Sequence, residues 1–174
     1  TYDPLVTDYD AVAAAMQKLA DVPDADSIAE NGKLVTIPVC YGGEFGPDLP
    51  FVARHAGLTE QEVIALHTGR DYRIYMLGFL PGFPYLGGLD ERLFTPRLGT
   101  PRTAIPAGSV GIGGEQTGIY PIASPGGWQL IGRTPLKLFD PAAGTLPYAA
   151  GDHIRFTPIT KAEFNALAQK EGAV

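Results

Sequence analysis

Short runs of alternating apolar and polar residues, the pattern of half-buried β-strands, recur over most of the chain. Residues 151–157 show it best, because Ile154 and Phe156 alternate with His153 and Arg155. The other runs predicted to form strands are 34–41, 72–79, 109–112, 116–122, 128–131 and 136–139. Many short strands separated by turns predict a closed barrel or a sandwich.

Four helices interrupt this pattern. Thr59 with Glu62, and Thr160 with Glu163, have the spacing of a capping box, in which each side chain satisfies the other's backbone amide. These pairs predict two helix starts. The remaining predicted helices are 49–55 and 11–20, the latter with Asp10 as its N-cap.

The start of the chain differs from the rest. Residues 1–7 are typical of the end of a strand, and Val12, Met16 and Leu19 share one face of the helix that follows. One strand and one helix cannot bury their own apolar face, so we expect exposed apolar surface here or packing on a neighbouring molecule. Residues 21–32 have the composition of a linker. We therefore predict two regions, the end of an incomplete α/β domain (1–31) and a barrel domain (32–174).

Composition narrows the class of protein. Among 174 residues there are 22 glycines and 16 prolines, which indicates many turns. Lys plus Arg is 13 and Asp plus Glu is 19, a formal net charge of −6, which speaks against nucleic acid or an anionic membrane as a partner. Residues 51–66 have the rhythm of a helix-turn-helix, but Glu60 and Glu62 at the start of its second helix would repel phosphates. No apolar stretch approaches the roughly 20 residues of a membrane span.

Several common site signatures do not occur in the sequence. There is no Gly-rich phosphate-binding loop, no dinucleotide fingerprint and no Gly-x-Ser-x-Gly motif. His55, His67 and His153 are far apart, so no metal site is predicted. Cys40 is the single cysteine, which excludes an internal disulfide and favours a cytoplasmic location. We expect Cys40 to be a buried apolar group rather than a nucleophile.

The unusual feature is a set of segments rich in Gly, Pro and aromatic residues. In residues 79–88, prolines restrict a loop that carries three aromatic rings, which could stack on a ligand or dock on a partner. The alternative is that Phe79 and Phe83 fill the ends of the barrel, and for these rings we favour the core. The residues expected to bind substrate or partner are Phe79, Pro81, Phe83, Tyr85, Thr117, Tyr120, Ser124 and Trp128.

The predicted site lies on one barrel face, where this loop meets Arg102 and the segments 116–120 and 124–128. Arg73 and Arg102 can stabilise a carboxylate or a developing oxyanion, and Gln116 can orient an amide.

His67 has two interpretations, a capping residue at a helix end or a titratable group beside the loop after Phe79. We take the second as the candidate for proton transfer. The predicted site contains no pair of carboxylates. We therefore expect a half-site that a partner completes, with Trp128 or Tyr85 near the seam.

Together these segments resemble a known family. The segments that carry the resemblance are 78–88, 100–102, 105–112, 116–121 and 124–135. They are similar to the allophanate hydrolase subunit 1 or KipI-like family, whose stand-alone bacterial members are the B-type subunits of 5-oxoprolinase. The resemblance runs from about Ile37 to Pro158. It implies a mainly β protein with a cyclophilin-like β-barrel and a few helices, preceded by a small α/β domain that is incomplete here.

The resemblance also implies a function. Family members of this kind join a subunit-2-like barrel protein and a further 5-oxoprolinase subunit to hydrolyse 5-oxo-L-proline to L-glutamate with ATP. Because this sequence has no phosphate-binding motif, ATP would be bound largely by the partner proteins. Two alternatives remain open: a carboxyltransferase-type module acting on urea or a related amide, and a KipI-type inhibitor of a sporulation sensor kinase.

Overall fold

A computed structural model describes residues 7–20, 32–142 and 144–171. The chain divides into two compact units, Thr1–Asn31 and Gly32–Val174, and each is described by itself. Apart from residues 7 and 32, the strand predicted at the start and the predicted linker lie outside the described residues.

The first unit contains helix α1 (Tyr9–Ala20). Its cap is Asp8, whose Oδ1 accepts a hydrogen bond from the Ala11 amide at 2.8 Å. The prediction of Asp10 as N-cap is wrong, because Asp10 already lies in the first turn, whereas Asp8 precedes the helix and its side chain bonds the amide three residues on. Met16 is exposed and Val12 is half-buried, and the side chain of Leu19 lies outside what the structure describes.

The second unit is a β-barrel with three helices. Its strands are β1 (Leu34–Tyr41), β2 (Asp71–Leu77), β3 (Pro84–Gly87), β4 (Arg102–Ile105), β5 (Ser109–Gly113), β6 (Gln116–Ile119), β7 (Ser124–Gly126), β8 (Gln129–Arg133) and β9 (His153–Pro158). Its helices are α2 (Leu49–Ala56), α3 (Glu60–Thr68) and α4 (Lys161–Glu171), with a 3₁₀ turn at Glu91–Leu93. Seven strands close in the order β1-β8-β5-β6-β3-β2-β9, and β4 pairs with β7 in a separate sheet. The predicted barrel, with two helices between its first two strands, is confirmed.

The barrel closes where the first strand meets the last. β1 runs parallel to β9, with Leu34 opposite His153, while the other neighbouring strands of the barrel are antiparallel. The inward residues of β9, Ile154 and Phe156, are buried as the alternation predicts. They join a core to which all seven strands of the barrel contribute, the other strands through Ile37, Val39, Tyr72, Ile74, Leu86, Val110, Ile112, Ile119 and Ile131.

Both predicted capping boxes are present. The Thr59 hydroxyl accepts from the Glu62 amide at 3.2 Å, and a Glu62 carboxylate oxygen accepts from the Thr59 amide at 2.8 Å. Thr160 and Glu163 make the same pair of contacts at 3.3 and 2.8 Å. These backbone hydrogen bonds lower the pKa of both carboxyl groups.

Other details of the prediction change. Residues 136–139 form no strand. Leu138 is buried in the core, but the backbone of this segment pairs with no neighbouring strand that the structure describes. β3, β4 and β7 were not predicted, since sequences such as Ser124-Pro-Gly are typical of turns, and here pairing overrides propensity. Within the described ranges, no helix is long and apolar enough to cross a bilayer.

Candidate functional site

An open pocket of about 450 Å³ lies on the face where the loop after β2 meets β7. Its lining is largely aromatic and includes one guanidinium group. The side chains that define it are Phe79, Leu80, Phe83, Tyr85, Arg97, Tyr120 and Trp128, with residues 124–127 forming one edge.

Trp128 lies over glycines of the barrel wall. A Cβ atom at Gly113 would be 2.5 Å from the indole Cδ1 and Nε1, and one at Gly118 would be 3.1 Å from Cζ3. A Cβ at Gly118 would also be 3.1 Å from Cζ of Phe83. Glycine at these positions therefore lets the indole lie flat on the strands and form a wall of the pocket.

Phe83 is the centre of an aromatic cluster. Its ring centroid lies 5.4 Å from those of Tyr85 and Tyr120, 5.5 Å from that of Trp128 and 5.6 Å from that of Phe79, each edge-on. Such edge-to-face contacts add to the stability that burial provides. Phe83 is buried, which confirms the core assignment for this ring, whereas the same assignment for Phe79 is wrong because its side chain is 65 % exposed.

Phe79 has a left-handed backbone conformation, with φ of 64°. The turn that imposes it is held by hydrogen bonds from the Gly78 amide to the Phe83 carbonyl at 3.1 Å and from the Leu80 amide to the Gly78 carbonyl at 2.7 Å. The Tyr148 hydroxyl fixes the other side by donating to the Gly82 carbonyl at 2.9 Å. A bulky residue in this conformation costs roughly 1–2 kcal/mol, and such strain clusters at functional sites.

Arg97 supplies the cation of the pocket and was not predicted. Its guanidinium carbon lies 5.7 Å from the centroid of the Trp128 ring. A signal is present in the sequence, because Thr95-Pro96-Arg97 is repeated as Thr100-Pro101-Arg102, the copy that belongs to the predicted site.

Arg102 lies behind the pocket wall rather than in it. Its Nη2 donates to Oδ1 of Asp48 at 2.8 Å, and its Nη1 donates to the Trp128 carbonyl at 3.3 Å. The other oxygen of Asp48 accepts from the Leu130 amide at 2.6 Å. Arg102 and Asp48 therefore hold the backbone on both sides of residue 129, and through these contacts Arg102 positions Trp128.

His67 is fully buried inside the barrel. Its Nε2 lies 2.8 Å from Oγ1 of Thr117, which donates its own proton to the Gly111 carbonyl at 3.0 Å. Thr117 must then accept from Nε2–H, so the Tyr41 hydroxyl, 2.8 Å from Nδ1, donates to that nitrogen. The His67 ring also stacks on Phe156, with centroids 4.6 Å apart.

Burial lowers the pKa of His67 to about 3. The imidazole is therefore neutral near pH 7, and its two nitrogens are occupied by Tyr41 and Thr117. The expectation that His67 titrates near neutrality beside the loop after Phe79 is wrong, because α3 directs the ring into the core.

The predicted site residues separate into two groups. Those that line the pocket are Phe79, Phe83, Tyr85, Tyr120, Ser124 and Trp128. Those that do not line it are His67, Arg73, Pro81, Arg102, Gln116 and Thr117. Arg73 lies 5.2 Å from the Tyr75 ring on β2, and Gln116 pairs with Gly113 at the start of β6. Pro81 is exposed in the loop.

The pocket offers groups for binding more than for acid–base chemistry. The Ser124 hydroxyl donates to the Pro125 carbonyl at 3.1 Å. Burial raises the pKa of Tyr120, although the Trp128 amide and two nearby guanidinium groups act in the opposite direction. None of the described residues that line the pocket carries a carboxylate or an imidazole. Within the described ranges, no group of three or more His, Cys, Asp or Glu residues could hold a metal ion.

Most of the chain matches a known protein family. The family described as "Carboxyltransferase domain, subdomain C and D" matches residues 1–148. The chain is 52 % identical over 156 residues to the B-type subunit of 5-oxoprolinase from Bacillus subtilis, a match that covers 88 % of this chain and 64 % of that protein. The chain thus spans less than two thirds of the length of this curated relative.

Solved structures agree on the architecture. A conserved uncharacterised protein from Pyrococcus horikoshii superposes with a TM-score of 0.74 at 50 % identity, covering 94 % of this chain and 74 % of that one. The Kluyveromyces lactis urea amidolyase superposes with a TM-score of 0.72 at 21 % identity over 98 % of this chain and 12 % of that one. The second likeness concerns the fold alone.

Proposed function

Because the chain belongs to the family of the carboxyltransferase domain, subdomain C and D, we propose that it is part of one subunit of a 5-oxoprolinase complex. The reaction is hydrolysis of the lactam ring of 5-oxo-L-proline. Water forms a new C–O bond at the lactam carbonyl, the C–N bond breaks, and the nitrogen takes a proton to become the amine of L-glutamate. The 52 % identity to a protein named as a 5-oxoprolinase subunit supports this reaction above the alternatives.

The observation that carries the proposal is the aromatic pocket built from separate sequence motifs. Its volume of about 450 Å³ lies in the lower part of the range for small-molecule sites. The exposed Phe79 and the partly exposed Tyr85 give the pocket an apolar surface that suits a small ring, and a cation lies at the same wall. A five-membered lactam that carries a carboxylate has both of these features.

A partner protein completes the site in this proposal. The pocket is open, and its described lining residues include no carboxylate or imidazole to activate water. Tyr75, Met76 and Phe79 are exposed by 65, 54 and 65 % within five consecutive positions that end at the pocket. Exposed apolar residues grouped in this way mark an interaction surface. The proposed partner is a subunit-2-like barrel protein, which would contribute the proton-transfer groups.

ATP is proposed to be used by the complex as a whole. The sequence contains no Gly-rich phosphate-binding loop, so the nucleotide is assigned to a partner protein. The proposed location is the cytoplasm, since the single cysteine, Cys40, is buried and free, as expected of a protein in a reducing compartment.

Coexpression of the full-length protein with the subunit-2-like protein and the further subunit tests the proposal. Purified complex should form glutamate from 5-oxo-L-proline with stoichiometric ATP hydrolysis. Trp128→Ala should lower turnover at least about tenfold in a complex that still elutes intact, which corresponds to about 1.4 kcal/mol of lost transition-state stabilisation. Phe51→Ala, at an exposed aromatic of α2 outside the pocket, is the matched control. Unchanged turnover in Trp128→Ala, or turnover of urea instead of 5-oxoproline, would contradict the proposal.

A further inference from the structure

We propose that Arg97 is the specificity-determining residue of the pocket and that it binds the carboxylate of a small cyclic ligand. The identification of that ligand as 5-oxoproline rests on the proposed function. The preference for a carboxylate rests on the structure around Arg97.

The contact with Trp128 leaves the N–H donors of Arg97 available for a ligand. Its guanidinium lies over the Trp128 ring, 5.7 Å from the centroid. Within the described ranges the Arg97 guanidinium makes no hydrogen bond, so its N–H donors can bind a carboxylate through two parallel hydrogen bonds. Arg97 therefore differs from an arginine whose donors already meet an acidic side chain.

Several other arginines are neutralised by ion pairs. Arg70 and Arg92 pair with Asp90, Arg102 with Asp48, and Arg155 with Asp71, at 2.6 to 2.8 Å. Within the ranges that the structure describes, Arg97 has no carboxylate partner. An unneutralised cation at the wall of an apolar pocket is the feature that an anionic ligand requires.

The backbone on both sides of Arg97 is fixed to the barrel. Thr95 and Gly114 exchange two backbone hydrogen bonds of 3.2 and 2.8 Å, and the Leu98 amide donates to the Gly127 carbonyl at 2.7 Å. The Gln129 side chain donates to the Pro96 carbonyl at 2.9 Å. These contacts hold the Cα of Arg97 in place before a ligand arrives, which reduces the entropy cost of binding.

Away from Arg97, the part of the pocket lining that the structure describes is mainly apolar and carries no charged side chain. Phe79, Leu80, Tyr85 and Trp128 present apolar surface, and among the described lining residues no carboxylate repels an anion. A ligand with one carboxylate and a compact ring satisfies both parts of the pocket. A neutral lactam of the same shape fills the apolar part but gains nothing from the guanidinium.

The sequence provides its own reporter, because Trp128 is the single tryptophan and lies in the pocket. Intrinsic fluorescence of the full chain is titrated with three compounds: 5-oxo-L-proline, its neutral primary amide, and cyclopentanecarboxylate, which keeps the charge and lacks the lactam. Both carboxylates should change the fluorescence of Trp128, and the neutral amide should bind at least tenfold more weakly than 5-oxoproline.

Variants assign the effect to Arg97. Arg97→Gln should weaken both carboxylates at least tenfold and leave the neutral amide unchanged, while Arg97→Lys, which keeps the charge but loses the fork, should fall between. Arg54→Gln is the matched control, because Arg54 is an exposed residue of α2 that does not line the pocket. Because Arg97 is exposed, its variants should fold, which thermal melts by circular dichroism check.

The outcomes separate this inference from the proposed function. If the amide binds as tightly as 5-oxoproline, if Arg97→Gln changes no affinity, or if neither carboxylate binds the wild type, the role of Arg97 is overturned, whatever the complex hydrolyses. If cyclopentanecarboxylate binds through Arg97 but 5-oxoproline does not, the carboxylate preference stands and the 5-oxoprolinase proposal fails.

Discussion

The indole of Trp128 lies against Gly113, at a distance that leaves no room for a side chain. A Cβ atom there would stand 2.5 Å from two ring atoms. The wall of the pocket thus depends on the absence of a side chain at Gly113 on β5. In the sequence, β6 and β7 separate this glycine from Trp128.

Gly113→Ala tests this contact. The added methyl should displace the indole and cost about 1–3 kcal/mol of stability through overpacking. The fluorescence maximum of Trp128 should also shift to longer wavelength as the ring becomes more exposed. Gly99→Ala is the matched control, because a Cβ at Gly99 meets nothing within 4 Å. A Gly113→Ala variant with wild-type stability and fluorescence would show that the wall adapts without cost.

Substitution of Arg102 should act on stability as well as on the pocket. Its pair with Asp48 is 2.8 Å long, with side chains only 30 and 14 % exposed, so Arg102→Ala leaves a half-buried carboxylate short of a donor. We expect a loss of about 1–3 kcal/mol in urea denaturation. Arg155→Ala removes the more exposed pair with Asp71 and should cost no more than about 1 kcal/mol. Equal losses in the two variants would contradict a structural role for the pair of Arg102 and Asp48.

His67 should make the fold less stable in acid. Its pKa is about 3 in the folded chain and 6.5 ordinarily, so below pH 6.5 the unfolded chain binds the additional proton. Its contribution is therefore complete above pH 6.5 and is lost as pH falls towards 3, with a slope of about 1.4 kcal/mol per pH unit. Urea denaturation at a series of pH values measures this slope.

His67→Gln should remove that part of the slope, since glutamine can both accept and donate a hydrogen bond but does not titrate. His55→Gln, at an exposed histidine of α2, should leave the slope as in the wild type. If both variants keep the wild-type slope, the acid sensitivity comes from other groups, and the buried neutral state of His67 has to be reconsidered.

Phe79 offers a test of stored strain. Phe79→Gly should be more stable than Phe79→Ala by about 1 kcal/mol, because only glycine adopts a φ of 64° without steric cost. Both variants lose the exposed ring, so both should bind the subunit-2-like partner or the pocket ligand more weakly. Thermal melts and titrations on the same samples separate the two effects. Equal stability of the two variants would mean that the left-handed turn is not maintained in solution.

Local sequence patterns were sufficient for much of the fold. Alternation in residues 151–157 predicted β9, and the pairs Thr59 with Glu62 and Thr160 with Glu163 predicted two helix starts within one residue. These features depend on neighbours a few positions apart, where side-chain spacing and backbone geometry are coupled directly. The same patterns identified all five aromatic residues that line the pocket, because Gly and Pro mark the segments that approach each other closely.

Only the tertiary structure decided which charged and polar groups face the pocket. Thr95-Pro96-Arg97 and Thr100-Pro101-Arg102 are the same tripeptide, yet Arg102 reaches Asp48, 54 positions away, while the guanidinium of Arg97 lies over the Trp128 ring. His67 looked like an accessible base at a helix end, and its burial follows from β1 and β6 bringing Tyr41 and Thr117 to its two nitrogens. Burial and ion pairing depend on contacts between positions that are far apart in the sequence. These contacts form only when the chain folds and the barrel closes, so local sequence patterns do not specify them.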